Sequence, residues 1–258
     1  MEIKELSKKM RIHAIEMAHN AGKKGAHLGG GLSAIEIFST LYGAILKEGD
    51  QVVVSKGHCV LAYYTALYEF GFLTDGDIQS FETNGGLLHG HPTRNKAKNI
   101  EFSAGSLGMG LSFAVGIALA KLRKNDQSKV YCIVGDGECN EGSIWEAVMS
   151  ASKYKLSNLI IIVDKNGLQY DGPTEQIMNL DPLTARFEAF GFEARDVNGH
   201  DEQELHNAFI SFSKKSMPKV LIANTIKGKG VSFIENKPKW HFGIVDDVFY
   251  QKAMEELR

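Results

Sequence analysis

The sequence predicts an α/β fold, a mostly parallel sheet flanked by helices, and three observations carry that prediction. Two short apolar runs, Val130 to Val134 and Leu159 to Val163, bracket a helix-like segment, the pattern of a βαβ unit with parallel strands. Each run ends in turn chemistry: Gly135-Asp136-Gly137 after the first, Asp164-Lys165-Asn166-Gly167-Leu168 after the second. Further strand-like and helical patterns alternate on both sides, which argues for a single domain over 1–258.

From the N-terminus, residues 3–20 and 33–46 read as helices, the second with a broad apolar stripe at Ile35, Ile37, Phe38, Leu41 and Ile45. Between them Gly25 to Gly31 reads as a glycine-rich loop around His27, with Ser33 as N-cap of the second helix. Gln51 to Ser55 is a short buried strand, followed by Lys56-Gly57-His58 and a helix through Phe70. Residues 71–103 read as irregular and contain Leu87-Leu88-His89-Gly90-His91-Pro92. Residues 104–124, with small side chains at Ala114, Gly116, Ala118 and Ala120, read as a buried helix. After the central unit come a helix near 181–190, a strand at 193–197, a helix at 202–213 and a strand at 219–225. Lys227-Gly228-Lys229-Gly230 lacks the spacing of a phosphate loop and reads as a turn. Asn198-Gly199-His200-Asp201 reads as a turn and helix cap, and the tail to Gly243 holds Trp240-His241.

A hydrophobic content of 43% and a charged content of 23% suit a soluble globular chain able to bury a full core. The net charge of −2, with no basic block, gives no sign of a nucleic-acid partner. The charged, amphipathic N-terminus does not read as a signal peptide, and no run of about 18 apolar residues marks a membrane span. The expectation is a cytoplasmic protein, with neither nucleic acid nor membrane as partner. Cys59, Cys132 and Cys139 lack metal-ligand spacing and are odd in number, in line with a reducing compartment.

In open parallel sheets, ligands bind beyond the carboxyl ends of the strands. Asp136 and Asn166 stand there, both hard oxygen donors suited to Mg²⁺ shared with the phosphates of a ligand. Gly135 and Gly137 let backbone approach a diphosphate closely. The plain alternative is a Gly-Asp-Gly turn and an unrelated Asn-Gly turn. His27, His58, His91 and His241 all fall in predicted loops, and the sequence does not show whether they converge.

The stretch from Val130 to Gly172 resembles the thiamin diphosphate motif, a Gly-Asp-Gly followed further on by an Asn. Around it, in order, stand GAHLGGGLSAIEI, VSKGHCVLAYYTALYEFG, HGHP, AGSLGMGLSFAVGIALA and TIKGKGVSFIENKPKWHFG. With these the chain is similar, over nearly its whole length, to the N-terminal diphosphate-binding domain of transketolases. The resemblance implies that Asp136, Asn166 and the Leu168 carbonyl hold Mg²⁺, with Ca²⁺ or Mn²⁺ as substitutes. It implies that His58, Gly135, Gly137, Glu138, Asn166 and His241 bind thiamin diphosphate. Gly105, Ser106 and Leu107 join that set, with close helix packing as the alternative. His27, His91 and His241 are implied to be catalytic, facing the substrate and shuttling protons near neutral pH. His89 is the ambiguous neighbour, and the His-Pro pairing favours His91. Glu141 and Glu146 read either as solvated helix charges or as acids at a dimer interface. Two departures stand out: GAHLGGG replaces the family's usual SGHPG, and Lys165 precedes Asn166 where many members have Asn or Asp.

In full-length transketolases, two further domains supply a glutamate that activates the cofactor and aromatics that stack on it. No residue here is assigned that glutamate. The resemblance therefore implies one subunit of a split transketolase, with the pyrimidine-binding and C-terminal domains on a separate chain and an assembly of the α₂β₂ kind. Its reaction would transfer a two-carbon ketol unit from a ketose or ketose phosphate to an aldose acceptor. The physiological donor and acceptor are left open. One alternative is the α subunit of a 2-oxo acid dehydrogenase, against which Gly57-His58 and His91-Pro92 speak. The other is a non-catalytic module of the thiamin fold, whose signature would be loss of Asp136 or Asn166.

Overall fold

The apolar runs at Gln51–Val54 (β1), Val130–Gly135 (β2), Leu159–Lys165 (β3) and Lys219–Asn224 (β5) pair as one sheet with the mostly polar edge strand Glu193–Asn198 (β4). All pairings are parallel and the order is β1-β2-β3-β5-β4. The computed structural model that shows this describes residues 2–214 and 216–258. Strands buried on both faces carry apolar side chains without interruption, and their alternation divides the core in two. Val52, Val54, Tyr131, Ile133, Ile160, Ile162 and Leu221 point to one layer. Val53, Cys132, Val134, Ile161, Val163 and Ile222 point to the other.

The first layer is built by Ile3–Asn20 (α1), Leu28–Leu32 (α2), Ile35–Thr40 (α3), Val60–Glu69 (α4), Glu202–Ser211 (α10) and Asp247–Leu257 (α11). The second is built by Met109–Arg123 (α6), Gly142–Lys153 (α7) and Leu183–Ala189 (α9). Asp75–Gln79 (α5) and Thr174–Met178 (α8) are short helices in the connections. The register places Val134 against Val163 and Gly135 against Asp164. Asp136 and Asn166 therefore leave the sheet side by side at its carboxyl edge.

Several local expectations are corrected. The glycine run is partly helical, as α2, because its glycines serve close packing rather than loop freedom. A Cβ at Gly29 would stand 2.8 Å from the Lys227 side chain, and one at Gly30 2.6 Å from the His58 ring. Ser33 is not the N-cap of the second helix, a place taken by Ala34: it closes α2, and its hydroxyl donates to the Gly30 carbonyl at 3.2 Å and to Asp164 at 2.6 Å at the kink between α2 and α3. The apolar stretch Leu28–Ile45 is long enough to cross a membrane by composition, yet it is broken at that kink and buried against the rest of the first layer. Region 71–103 holds α5, which the Thr74–Asp77 capping box specifies. The helix expected at 104–124 begins only at Met109, leaving Gly105 to Leu107 as a loop. Helix α11 lies beyond the segments read from sequence.

Candidate active site

The carboxyl edge of the sheet opens into a cavity of about 340 Å³, within the usual range of ligand sites. Its floor is the turn after β2. Asp136 accepts the Gly137 N–H at 2.9 Å and the Gly167 N–H at 2.7 Å, so the carboxylate ties the ends of β2 and β3 together. Burial pushes its pKa up to about 6, and the neighbouring Asp164 charge adds to this. Asn166 Oδ1 accepts the Leu168 N–H at 3.1 Å. Lys165 turns away to an ion pair with Asp181 at 2.8 Å, so it takes no part in the floor.

Two lysines bring positive charge underneath. Lys56, after β1, is ion-paired with Asp164, which also accepts from Ser33 and Thr225. Burial opposes the Asp164 charge, but the adjoining ammonium wins and holds its pKa below the usual carboxylate range. Lys227 is only 2% exposed and, among the described residues, donates to neutral acceptors alone. They are the Leu168 carbonyl at 3.1 Å, the Gln169 carbonyl at 3.5 Å and His241 Nδ1 at 3.0 Å. Burial, then the Lys56 charge, lowers its pKa to about 8. A buried cation with no carboxylate in contact is costly, even with Asp136 and Asp164 nearby, so this corner suits an anion.

Four histidines close over the floor. The His27 ring lies 5.0 Å from His91, 5.5 Å from His241 and 6.0 Å from His58, and His58 lies 5.1 Å from His241. Their loops are joined: Ala26 and Gly243 exchange hydrogen bonds of 2.9 and 3.0 Å. Tyr170 stands edge-on to His241 at 5.2 Å and Phe242 edge-on to His27 at 4.9 Å. Because the Lys227 ammonium can only donate, His241 Nδ1 is an acceptor and the neutral ring carries its proton on Nε2.

Burial, aided by neighbouring cations, lowers His27 to about 4 and His241 to about 3. His58 falls well below the ordinary value and His91 is also lowered, both chiefly by burial. All four are neutral imidazoles at pH 7. The unfolded chain takes up these protons near pH 6.5, whereas the folded chain refuses them until about pH 4 at His27. Stability from this source is full above the unfolded value and lost as pH falls. Asp136 and Glu138, both raised chiefly by burial, work in the opposite sense, but they are two groups against four. The ligand-free melting temperature is expected to hold near neutrality and fall on acidification from about pH 6.5. A melting temperature that rises over that range would refute the assignment of neutral rings.

Of the residues singled out from sequence, His27, His58, His91, Gly105, Leu107, Gly135, Asp136, Gly137, Glu138, Glu141, Asn166, Leu168 and His241 line this cavity. His89 is exposed outside it, as are Ser106 and Glu146. Glu138 lines the wall, but its carboxylate is engaged by Ser55, by Gly108 N–H at 2.8 Å and by Gly135 N–H at 3.0 Å. It braces the loop around the cavity. Lys56, Asn140, Gln169, Tyr170 and Lys227 also line the cavity and were not anticipated. Lys56 stood in the Lys-Gly-His segment, Asn140, Gln169 and Tyr170 in the Val130 to Gly172 stretch, and Lys227 in a Lys-Gly-Lys-Gly run that read as a turn.

The donor chemistry fits a diphosphate with a divalent ion. Among the described residues no group of three His, Cys, Asp or Glu side chains is arranged around a metal. The oxygen set is instead one carboxylate, one amide and one carbonyl, which Mg²⁺ completes with water and phosphate oxygens. Three buried polar atoms of residues that line the cavity, His27 Nδ1, Asn140 Oδ1 and Gln169 Nε2, have no hydrogen-bond partner among the described residues. Such atoms are normally satisfied, so they mark where a polar ligand belongs.

Comparison with known proteins agrees with this chemistry. The family profile described as the transketolase, thiamine diphosphate binding domain matches residues 3–248. An apulose-4-phosphate transketolase subunit of Actinobacillus succinogenes is 38% identical over 266 residues, covering 100% of this chain and 96% of that protein. A 6-deoxy-6-sulfo-D-fructose transketolase subunit of a Clostridium species is 37% identical over 248 residues, covering 92% and 90%. Among solved structures, transketolase from Leishmania mexicana superimposes with a TM-score of 0.92 at 25% identity. That match covers 100% of this chain, which spans 41% of the Leishmania chain.

Proposed function

Since this chain belongs to the transketolase family, through its thiamin diphosphate binding domain, we propose that it is the cofactor-anchoring subunit of a split transketolase. The observation that carries the proposal is the convergence of His27, His58, His91 and His241 above Asp136 and Asn166 in one cavity. A 2-oxo acid dehydrogenase subunit or a non-catalytic module has no evident use for that cluster.

Asp136, Asn166 and the Leu168 carbonyl would hold Mg²⁺, and Lys227 with His58 would meet the cofactor's diphosphate. When bound, thiamin diphosphate supplies the nucleophilic carbon that carries the two-carbon unit. The chain's own residues handle the protons. Cleavage beside a hydroxyl requires that hydroxyl to lose its proton, and neutral His27 or His91 is placed to accept it. His241, with its proton fixed on Nε2, donates a hydrogen bond to a substrate oxygen. The ketose and aldose themselves are proposed to be sugars or sugar phosphates.

A partner chain is supported by relatives of similar length whose own names designate them transketolase subunits. Tyr170 is 70% and Phe242 44% exposed at the cavity rim, where a covering chain would bury them. That chain is proposed to bring the pyrimidine-binding and C-terminal domains. Exposed Met109 and Met149 lie near Glu141 and Glu146 on α6 and α7, a face suited to self-association into an α₂β₂ assembly. A cytoplasmic location is proposed with it, in keeping with three buried free thiols.

The test is a ketol-transfer assay with thiamin diphosphate and Mg²⁺, using this chain alone and then with the protein encoded beside it. Activity is expected only in the mixture. Turnover by this chain alone would refute the split arrangement.

A further inference from the structure

Behind the Lys227 loop runs a chain of buried polar groups that no step above uses. Arg11 of α1 donates to Glu36 of α3 at 2.6 Å and to the Lys229 carbonyl at 2.9 Å. The other Glu36 oxygen lies 3.0 Å from His200 Nδ1, and His200 Nε2 accepts the Ile226 N–H at 2.7 Å. A backbone amide can only donate, so Nε2 is the bare nitrogen and Nδ1 carries its proton toward Glu36. Arg11 and Glu36 are each 6% exposed. Buried ion pairs add little stability over apolar groups of the same shape, so packing alone does not explain this one.

What the network grips is specific. His200 holds the backbone just before Lys227, and Arg11 holds it two residues after. Between these points the Gly228 N–H donates to the Gly29 carbonyl at 3.0 Å. A Cβ at Gly230 would stand 2.4 Å from the Arg11 side chain, so the loop passes directly over the guanidinium stem. The Lys227 side chain leaves this clamped segment on the cavity side, toward Leu168 and His241.

We propose that Arg11, Glu36 and His200 are positioning residues that fix the Lys227 loop, so that Lys227 meets the cofactor's diphosphate and sets the tautomer of His241. The proposal rests on the reading of this cavity as a thiamin diphosphate site. Arg11 and Glu36 belong to helices remote from the ligand and act only through the loop.

A double-mutant cycle on cofactor affinity tests it, using the full chain with Mg²⁺, calorimetric titration and ligand-free melting in parallel. Lys227→Met and His200→Ala are each expected to weaken binding by about fivefold or more, and the double variant to bind within about twofold of Lys227→Met alone. His200→Gln, whose amide offers both an acceptor and a donor, should recover most of the affinity. If His200→Ala does not fold, Glu36→Gln takes its place in the cycle. Losses that multiply, or a His200→Ala chain that melts earlier yet binds normally, would overturn the proposal. A Lys227→Met chain that binds as tightly as the unaltered one, with binding still dependent on Asp136, would overturn it too. Absence of binding by the unaltered chain, both alone and mixed with the protein encoded beside it, would strike the cofactor reading itself.

Discussion

Asp136→Ala is expected to abolish Mg²⁺-dependent binding of thiamin diphosphate. Removing a group that merely orients a metal ligand weakens affinity by about 10–100-fold, so loss of the one unneutralised carboxylate on the floor should exceed about a hundredfold. Asp164 cannot substitute, because Lys56, Ser33 and Thr225 consume its charge and lone pairs. The same substitution should not weaken the ligand-free fold, and Asp136→Asn should strengthen it. A carboxyl raised from 3.8 to about 6 by burial opposes folding at pH 7 by about 3 kcal/mol, and the amide keeps the acceptor for Gly167 while removing the charge. Metal binding and ligand-free stability should therefore move in opposite directions. Calorimetric titration and thermal melting together read both, and an unchanged dissociation constant would remove Asp136 from the metal site.

His27→Ala should slow ketol transfer by about 10²–10⁴-fold, the ordinary contribution of a positioned acid or base. Cofactor affinity should stay within about twofold, since the diphosphate corner is formed by Lys227, His58 and the glycine turn. His27 earns this expectation from its place: a neutral ring at the centre of the cluster, with an unsatisfied Nδ1. The check is steady-state turnover of the assembled enzyme beside a direct titration of the cofactor. Normal turnover would end the proton-transfer role.

What could be read from the chain alone was whatever is local along it. Asp136 and Asn166 were legible because a strand, a glycine turn and a helix follow one another within a few residues. The apolar stripe at Ile35, Ile37, Phe38 and Leu41 was legible for the same reason. The glycines of α2 were misread because the side chains that forbid a Cβ there, Lys227 and His58, are distant in sequence. Lys227 was missed on equal grounds: nothing in Lys-Gly-Lys-Gly reveals that one lysine is walled in and the other, Lys229, is partly exposed. The contacts Lys56–Asp164 and Arg11–Glu36–His200 unite segments that only the folded sheet brings together.

The buried union of Lys56 and Asp164 constrains how this enzyme can change over generations. Ser33 and Thr225 lock the same carboxylate, so four segments of the chain share one junction beneath the cofactor. Exchange of Lys56 or Asp164 alone strands a charge in the interior, and a tolerated path would need both to change together. The foundation of the site is therefore inherited whole. Drift in the substrate pocket is left to residues with no such obligations, Tyr170 and Phe242 at the rim.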